Sequence, residues 1–463
     1  MLDECSMAYS ALLDDVNSGL KSCAKGNDRE EDFGNLDFFL FGDFLQLPPV
    51  STWQVQCKPL FTDVVCHSLG QQSARINADS RIPSGMRLFK TFQKIEMVVQ
   101  VRSGDATHTR DLQDFRVKPQ PFSNGFIARL QNKKLVEADV RREKWRFATR
   151  LFYTNDEVQA ANHAQAVRYA TEHGLPVIRW LKEPCCDGTV EGVGVLATQF
   201  PHLAGTYVQG APCMVTKNTY HGTANGTKGV AESLVFADAS DADKLREGNW
   251  QPGGEIWVAQ PNFIIVKRDD GTSVPIPRRD DDLIIRKWNR ATRAKTTARF
   301  RSIAFLLAFA ATFHKFQGQT VPVVILHIDE RTTFEMLNVA ISRVRSGGDI
   351  RVVFHGPNLR FLAKLRRPKD FDVWQKNFKA DGTWKEDGMQ AQRHEAIAKA
   401  HKTLASANKL QGLRLPQLKY LCITLDLVAA KNGMGVSNKP HYIEALTGVW
   451  LEQRQKAEAQ QEP

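Results

Sequence analysis

Several absences bound what this 463-residue sequence can be. No apolar stretch is long enough for a membrane. The longest, residues 303–312, is about half of the ~20 residues that a spanning helix needs. The N-terminus is acidic and lacks the apolar core of a secretory signal. The eight cysteines form no C-x-x-C pair and no Cys/His group with zinc spacing, which excludes a disulfide scaffold or a structural zinc site of the usual kind. Cys185 and Cys186 are adjacent in a turn-like Pro-Cys-Cys-Asp-Gly, and the set reads as free thiols in a reducing compartment. There is no internal repeat and no low-complexity block. There is also no Gly-Lys dipeptide, and so no G-x-x-x-x-G-K-[ST] phosphate loop anywhere in the chain.

What is present is an ordinary globular composition, 42% hydrophobic and 24% charged, in a chain long enough for two to four domains. The net charge of +11 suits a polyanionic partner, because each phosphate that is neutralised releases a counterion. The apolar run 36–41 predicts a buried parallel strand ending at Gly42-Asp43, with functional residues at its carboxyl end. Residues 145–153 predict a strand, and Thr154-Asn155 open a helix through Val158 and Asn162. Residues 230–297 are rich in Gly, Pro and charge with short β-like runs, and Asp269-Asp270-Gly271 reads as a hairpin turn. The run 303–312 predicts a buried strand leading into a motif, and the tail from 370 is helical and charged.

Several motifs stand in one order along the chain. Asp3-Glu4 follows a short apolar lead, and Phe41-Gly42-Asp43-Phe44-Leu45-Gln46-Leu47-Pro48-Pro49 follows it. Gln100-Val101-Arg102-Ser103-Gly104-Asp105 comes next, then Thr154-Asn155 with Asn162. A strand-like Gly210 to Asn218 segment leads to Asn225-Gly226-Thr227-Lys228-Gly229. Thr312-Phe313-His314-Lys315-Phe316-Gln317-Gly318-Gln319-Thr320 and Asn338-Val339-Ala340-Ile341-Ser342-Arg343-Val344-Arg345 complete the series. The ordered set resembles motifs II to VI of a superfamily 1 DNA helicase of the PIF-one/RecD-like group. Residue types and spacing alone give a phosphate-handling α/β protein that binds a polyanion.

The resemblance implies an α/β fold of tandem RecA-like P-loop NTPase lobes with a β-barrel-like insertion and a helical tail. The expected parts are a first-lobe remainder at 1–125, a second lobe at 140–229 and 300–360, an insertion at 230–299 and a tail at 370–463. It implies ATP-driven 5′-to-3′ translocation on single-stranded DNA and unwinding of forked DNA, with ATP and Mg²⁺ as cofactors. Asp3 would hold Mg²⁺ through water and Glu4 would polarise the attacking water. Gln46 would sense the γ-phosphate, Arg102 would reach toward it, and Arg343 would act as the arginine finger. His314, Lys315, Gln317, Gly318 and Thr320, with Asn225, Thr227 and Lys228, would contact the DNA backbone. Phe316 stands where the related motif has serine, and it either stacks on a base or packs in the core. Arg102 has a plain surface arginine as its equal alternative.

Without the phosphate loop the first lobe is expected to expose unpaired strand edges, and this polypeptide alone is expected to lack ATPase activity. Three explanations fit: a fragment of a longer gene whose upstream segment carries the loop, a decayed helicase copy of transposon origin, or a split motor whose partner supplies it. The basic run Arg286-Lys287-Trp288-Asn289-Arg290 with Arg293, Lys295, Arg299 and Arg301 either lines a single-strand channel or forms a solvated face. In the tail, 411–450 resembles a SAP module with Lys439 toward DNA, or is a plain helical hairpin. No membrane partner is expected; the nucleus is the expected compartment, with mitochondrion and cytoplasm as alternatives.

Overall fold

A computed structural model describes the chain except for residues 52–56, 69–78, 119–122, 186–199, 220–222, 247–249, 290–293, 357–358, 360, 386–396, 408–409, 426, 428–438 and 460–463. Cys186, Arg290, Arg293 and the tail's Gly433-Met434-Gly435 lie outside the described residues. The chain divides into two compact units, Met1–Val99 with Arg366–Pro463, and Gln100–Leu365.

In the first unit the helices Ser10–Cys23 and Arg81–Thr91 cross at Gly85, where a Cβ would lie 1.8 Å from the Ser10 carbonyl oxygen. Glycine is therefore required for the close approach. Arg81 pairs with Asp15, and Arg87 with Asp32. An aromatic cluster of Phe44, Phe61 and Phe89 packs around Trp374 of the helix Lys369–Lys376, with Phe44 edge-on at 5.1 Å. Later in the tail, Leu410, Leu418, Leu421, Cys422 and Leu446 build a small core between the helices Leu415–Thr424 and Lys439–Ala459.

The expected buried strand at 36–41 does not form. Only Leu40 makes a parallel bridge, to Leu2, through Leu2 N–H to Phe39 O and Phe41 N–H to Leu2 O, both 2.8 Å. Leu36 and Phe39 are 59% and 56% exposed. The physical reason is that a lone bridge gives these side chains no second layer to pack against. Residues 95–99 are also bare: Ile95, Met97, Val98 and Val99 are 75–82% exposed and lie outside any helix or strand. Such apolar, β-branched chain is a template for unwanted pairing. The amides of 95–99 should therefore exchange with solvent at near-intrinsic rates, and Val98→Lys should raise the solubility limit. Strong protection of these amides in a hydrogen-exchange experiment would contradict this picture.

In the second unit, four parallel strands form a sheet in the order β11 (Ala310–Thr312), β1 (Thr149–Phe152), β12 (Val324–Ile328), β13 (Ile350–Phe354). The helix Asn155–His173 leaves β1 as expected. Its start is fixed by a reciprocal capping box between Thr154 and Glu157, and its end by Gly174 at φ 67°. Asn162 braces it against the sheet edge, donating to Ala310 O and accepting from Ala310 N–H.

A six-stranded antiparallel sheet runs β10 (Phe305–Leu307), β4 (Pro212–Val215), β5 (Lys228–Val235), β7 (Phe263–Arg268), β8 (Ser273–Asn289), β9 (Ala294–Ile303). The turn between β7 and β8 carries Gly271 at φ 84°, as the Asp269-Asp270-Gly271 signal predicts. β2 (Val177–Leu181) joins β3 (Ala204–Tyr207) and β6 (Glu255–Trp257) in a third, small sheet. The apolar run 303–312 is not one strand. It serves the antiparallel sheet as β10 and then crosses to the parallel sheet as β11. The backbone of Arg286, Lys287 and Trp288 lies on β8, paired with β9.

Candidate nucleotide and nucleic-acid sites

The expected nucleotide residues fall in both units, and each set is built locally. In the first unit, Asp3 is exposed and its Oδ1 accepts from Glu4 N–H at 2.8 Å. Glu4 sits in a left-handed conformation at φ 53°, which costs a non-glycine residue about 1–2 kcal/mol. Backbone of this kind collects at functional sites. Gly42 lies against this turn: a Cβ there would be 2.7 Å from Cys5 N. Only glycine lets the two motif backbones touch. Burial pushes the Cys5 thiol up to about 12, helped by the nearby carboxylates of Asp43, Glu4 and Asp3.

Gln46 follows a tight turn in which its N–H donates to Asp43 O. Its Oε1 is buried with no partner among the described residues. An orphan of this kind calls for a ligand, a water or a rearrangement.

A carboxylate pair suits Mg²⁺, which takes one or two protein carboxylates and completes its shell with water and phosphate. Among the described residues no group of three or more His, Cys, Asp or Glu side chains could hold a metal unaided. With no G-x-x-x-x-G-K-[ST] in the sequence, the residues present do not build a nucleotide cradle by themselves.

In the second unit the structure brings Arg102 and Arg343 together. Arg343 is 2% exposed at the end of the helix Phe334–Ile341, its Nε donating to Val339 O and its Nη2 to Ser342 Oγ at 2.9 Å. Arg102 donates from Nη1 to Ser342 O at 2.7 Å, across 240 residues of sequence. Asp105 adds a clasp that sequence reasoning missed. Its carboxylate accepts from Thr107 and His108 N–H as a helix cap, and from Ser346 Oγ and Gly347 N–H. These bonds, the His108 amide first, hold Asp105 down at about 2. The N-cap half was legible in the sequence, since Asp before a helix is a standard start signal. The bonds to Ser346 and Gly347 were not.

The expected DNA-contacting residues also come together. The turn His314–Phe316 is followed by Gly318 at φ 77°, and Val321 N–H donates to Arg343 O, which ties this loop to the arginine segment. Gln319 Nε2 donates to Lys315 O and lies near the space beside Gly226, the middle of Asn225-Gly226-Thr227. Gly226 at φ 90° turns the chain into β5, which starts at Lys228. Asn225 N–H donates to Asn218 Oδ1, and Thr320 is exposed.

The electrostatics of the loop point one way. Burial lowers Lys315 and Lys228 from the ordinary lysine range, and only Asp269 opposes it at Lys228. Neither lysine makes an ion pair among the described residues. Burial likewise lowers His314, which favours its neutral form. Desolvated cations without carboxylates are a cost to the fold that a bound anion would relieve. Phe316 is 0% exposed, so of the two expected roles it takes the core one and does not stack on a base.

No protein-family profile and no curated protein matches this sequence. Solved structures do. A Pif1 helicase from Bacteroides, in complex with ADP-AlF3 and ssDNA, is 19% identical over 82% of this chain and 75% of its own, at a TM-score of 0.54. The Bacteroides protein bound to ssDNA gives 0.53 with the same coverage. A Pif1 helicase from Candida albicans is 19% identical over 81% of this chain and 74% of its own, at 0.51. The likeness shows the fold, that of these Pif1 helicase structures with RecA-like lobes.

Proposed function

We propose that this chain, which has the Pif1-helicase fold, is the DNA-gripping part of a motor of that kind. It holds single-stranded DNA through the phosphate backbone at Lys315, Lys228 and the loops around them. Asp3, Glu4, Gln46, Arg102 and Arg343 serve ATP hydrolysis and 5′-to-3′ translocation once a phosphate loop is supplied. The observation that carries the reading is the pair of desolvated lysines, without an ion pair among the described residues, one on the turn at 314–316 and one at the start of β5, whose segments meet at Gln319 and Gly226. Lysines so placed bind phosphate without reading sequence.

The absent phosphate loop favours a second reading beside it, a DNA-binding protein with no turnover of its own. Both readings expect the purified chain to bind fluorescein-labelled oligothymidylate, with log affinity falling linearly in log salt at about 0.7 per phosphate contact. They also expect no DNA-stimulated ATP hydrolysis. Failure to bind at low salt would remove both. Stimulated hydrolysis that Glu4→Gln abolishes would place a complete active site in this chain.

A further inference from the structure

A lysine taken partly out of water usually finds a carboxylate. Among the described residues Lys228 does not: its ammonium lies over the Phe316 ring, 5.4 Å from the centroid. Two local features produce this. Gly226 turns the chain so that Lys228 begins β5, and the short turn His314–Phe316 sinks the ring beneath the loop. The ring is wholly buried. The other charge that reaches Lys228 is Asp269, in the turn between β7 and β8, and it forms no ion pair with it.

The difference between a ring and a carboxylate matters for binding. A carboxylate would neutralise the ammonium and compete with a phosphate for it. The face of an aromatic ring attracts the cation through its quadrupole but leaves the full positive charge and the hydrogen-bond donors available. We infer that Phe316 is a positioning residue for the phosphate contact of Lys228, fixing the cation in place without neutralising it. This rests on the reading that the loop binds single-stranded DNA. Lys315, on the same turn, has no such platform among the described residues and supplies a second charge.

The test uses the full chain and a fluorescein-labelled oligothymidylate across a salt series. Phe316→Leu keeps an apolar group in the core but removes the ring. It should weaken binding by about 3- to 30-fold and lower the salt slope by about one contact. Lys228→Met should do the same, while Lys228→Arg, which restores a cation over the ring, should recover most of the slope. In the Lys228→Met background, Phe316→Leu should have no further effect. An equal loss in that background would mean that Phe316 acts only through packing, and unchanged binding in the single variant would equally overturn the inference.

Should Phe316→Leu fail to fold, ¹³C-dimethylation of the lysines in the unaltered chain decides instead. The Lys228 methyls should show an upfield ring-current shift that changes when the oligonucleotide is added. An unshifted Lys228 signal would refute the inference. A shifted signal with no DNA binding would leave the lysine over its ring and refute the DNA reading.

Discussion

Reversing both charges, Lys315→Glu with Lys228→Glu, should all but abolish binding of single-stranded DNA. Charge-assisted hydrogen bonds contribute about 1.5–3 kcal/mol each, so losing two costs at least ~100-fold in affinity, and the repulsion of two new carboxylates adds to it. The salt slope should fall by about 1.4, two contacts at ~0.7 each for single strands. Burial penalises the charged form of both lysines in the folded chain and would penalise the new carboxylates in the same way, so urea unfolding of the double variant is read beside its binding. For a lysine lowered in this way, the cost is present at neutral pH and fades as pH rises through the lowered value. The unaltered chain should therefore lose affinity for the oligonucleotide at a lower alkaline pH than a protein gripping phosphate with ordinary lysines. Anisotropy titrations over salt and pH check both statements. Retention of tight, salt-dependent binding by the double variant would move the DNA site elsewhere.

Asp105→Ala should produce a large loss of stability in the second unit. The carboxylate caps the helix Ala106–Val117 and also fastens Ser346 and Gly347, just past the Arg343 segment. Losing the cap costs about 1 kcal/mol, and losing the two long-range bonds about 1–1.5 kcal/mol each, so the expected total is about 3–4 kcal/mol. Urea unfolding at neutral pH measures it as a lower midpoint.

The acid limb offers a second check. Asp105 is held below its ordinary value, at about 2. Its contribution is thus complete above the ordinary aspartate range and is lost as pH falls from there through about 2. The Asp105→Ala variant should lack that part of the acid-induced loss. A midpoint unchanged at neutral pH would show that the clasp is not a structural link. The same variant frees the segment carrying Arg343, so a loss of stability without any change in DNA affinity would separate the Arg343 segment from the Lys315 loop.

The Thr154 helix start and the β7–β8 turn were legible because each depends on neighbours in the chain. A threonine cap needs only Glu157 three residues on, and a glycine turn needs only its own φ. The motif order also fixed which residues to watch. The tertiary structure decided the rest. The sequence shows an apolar run at 36–41, yet burial needs a second layer, and the fold leaves Leu36 and Phe39 in solvent. Arg102 reads as a phosphate-seeking arginine, yet it spends one donor on Ser342 O, a partner chosen by topology across 240 residues. Phe316 in sequence is only a departure from serine. The fold alone sets its ring beneath Lys228, because cation–π contact requires two strands of the chain to meet at a distance no local pattern records.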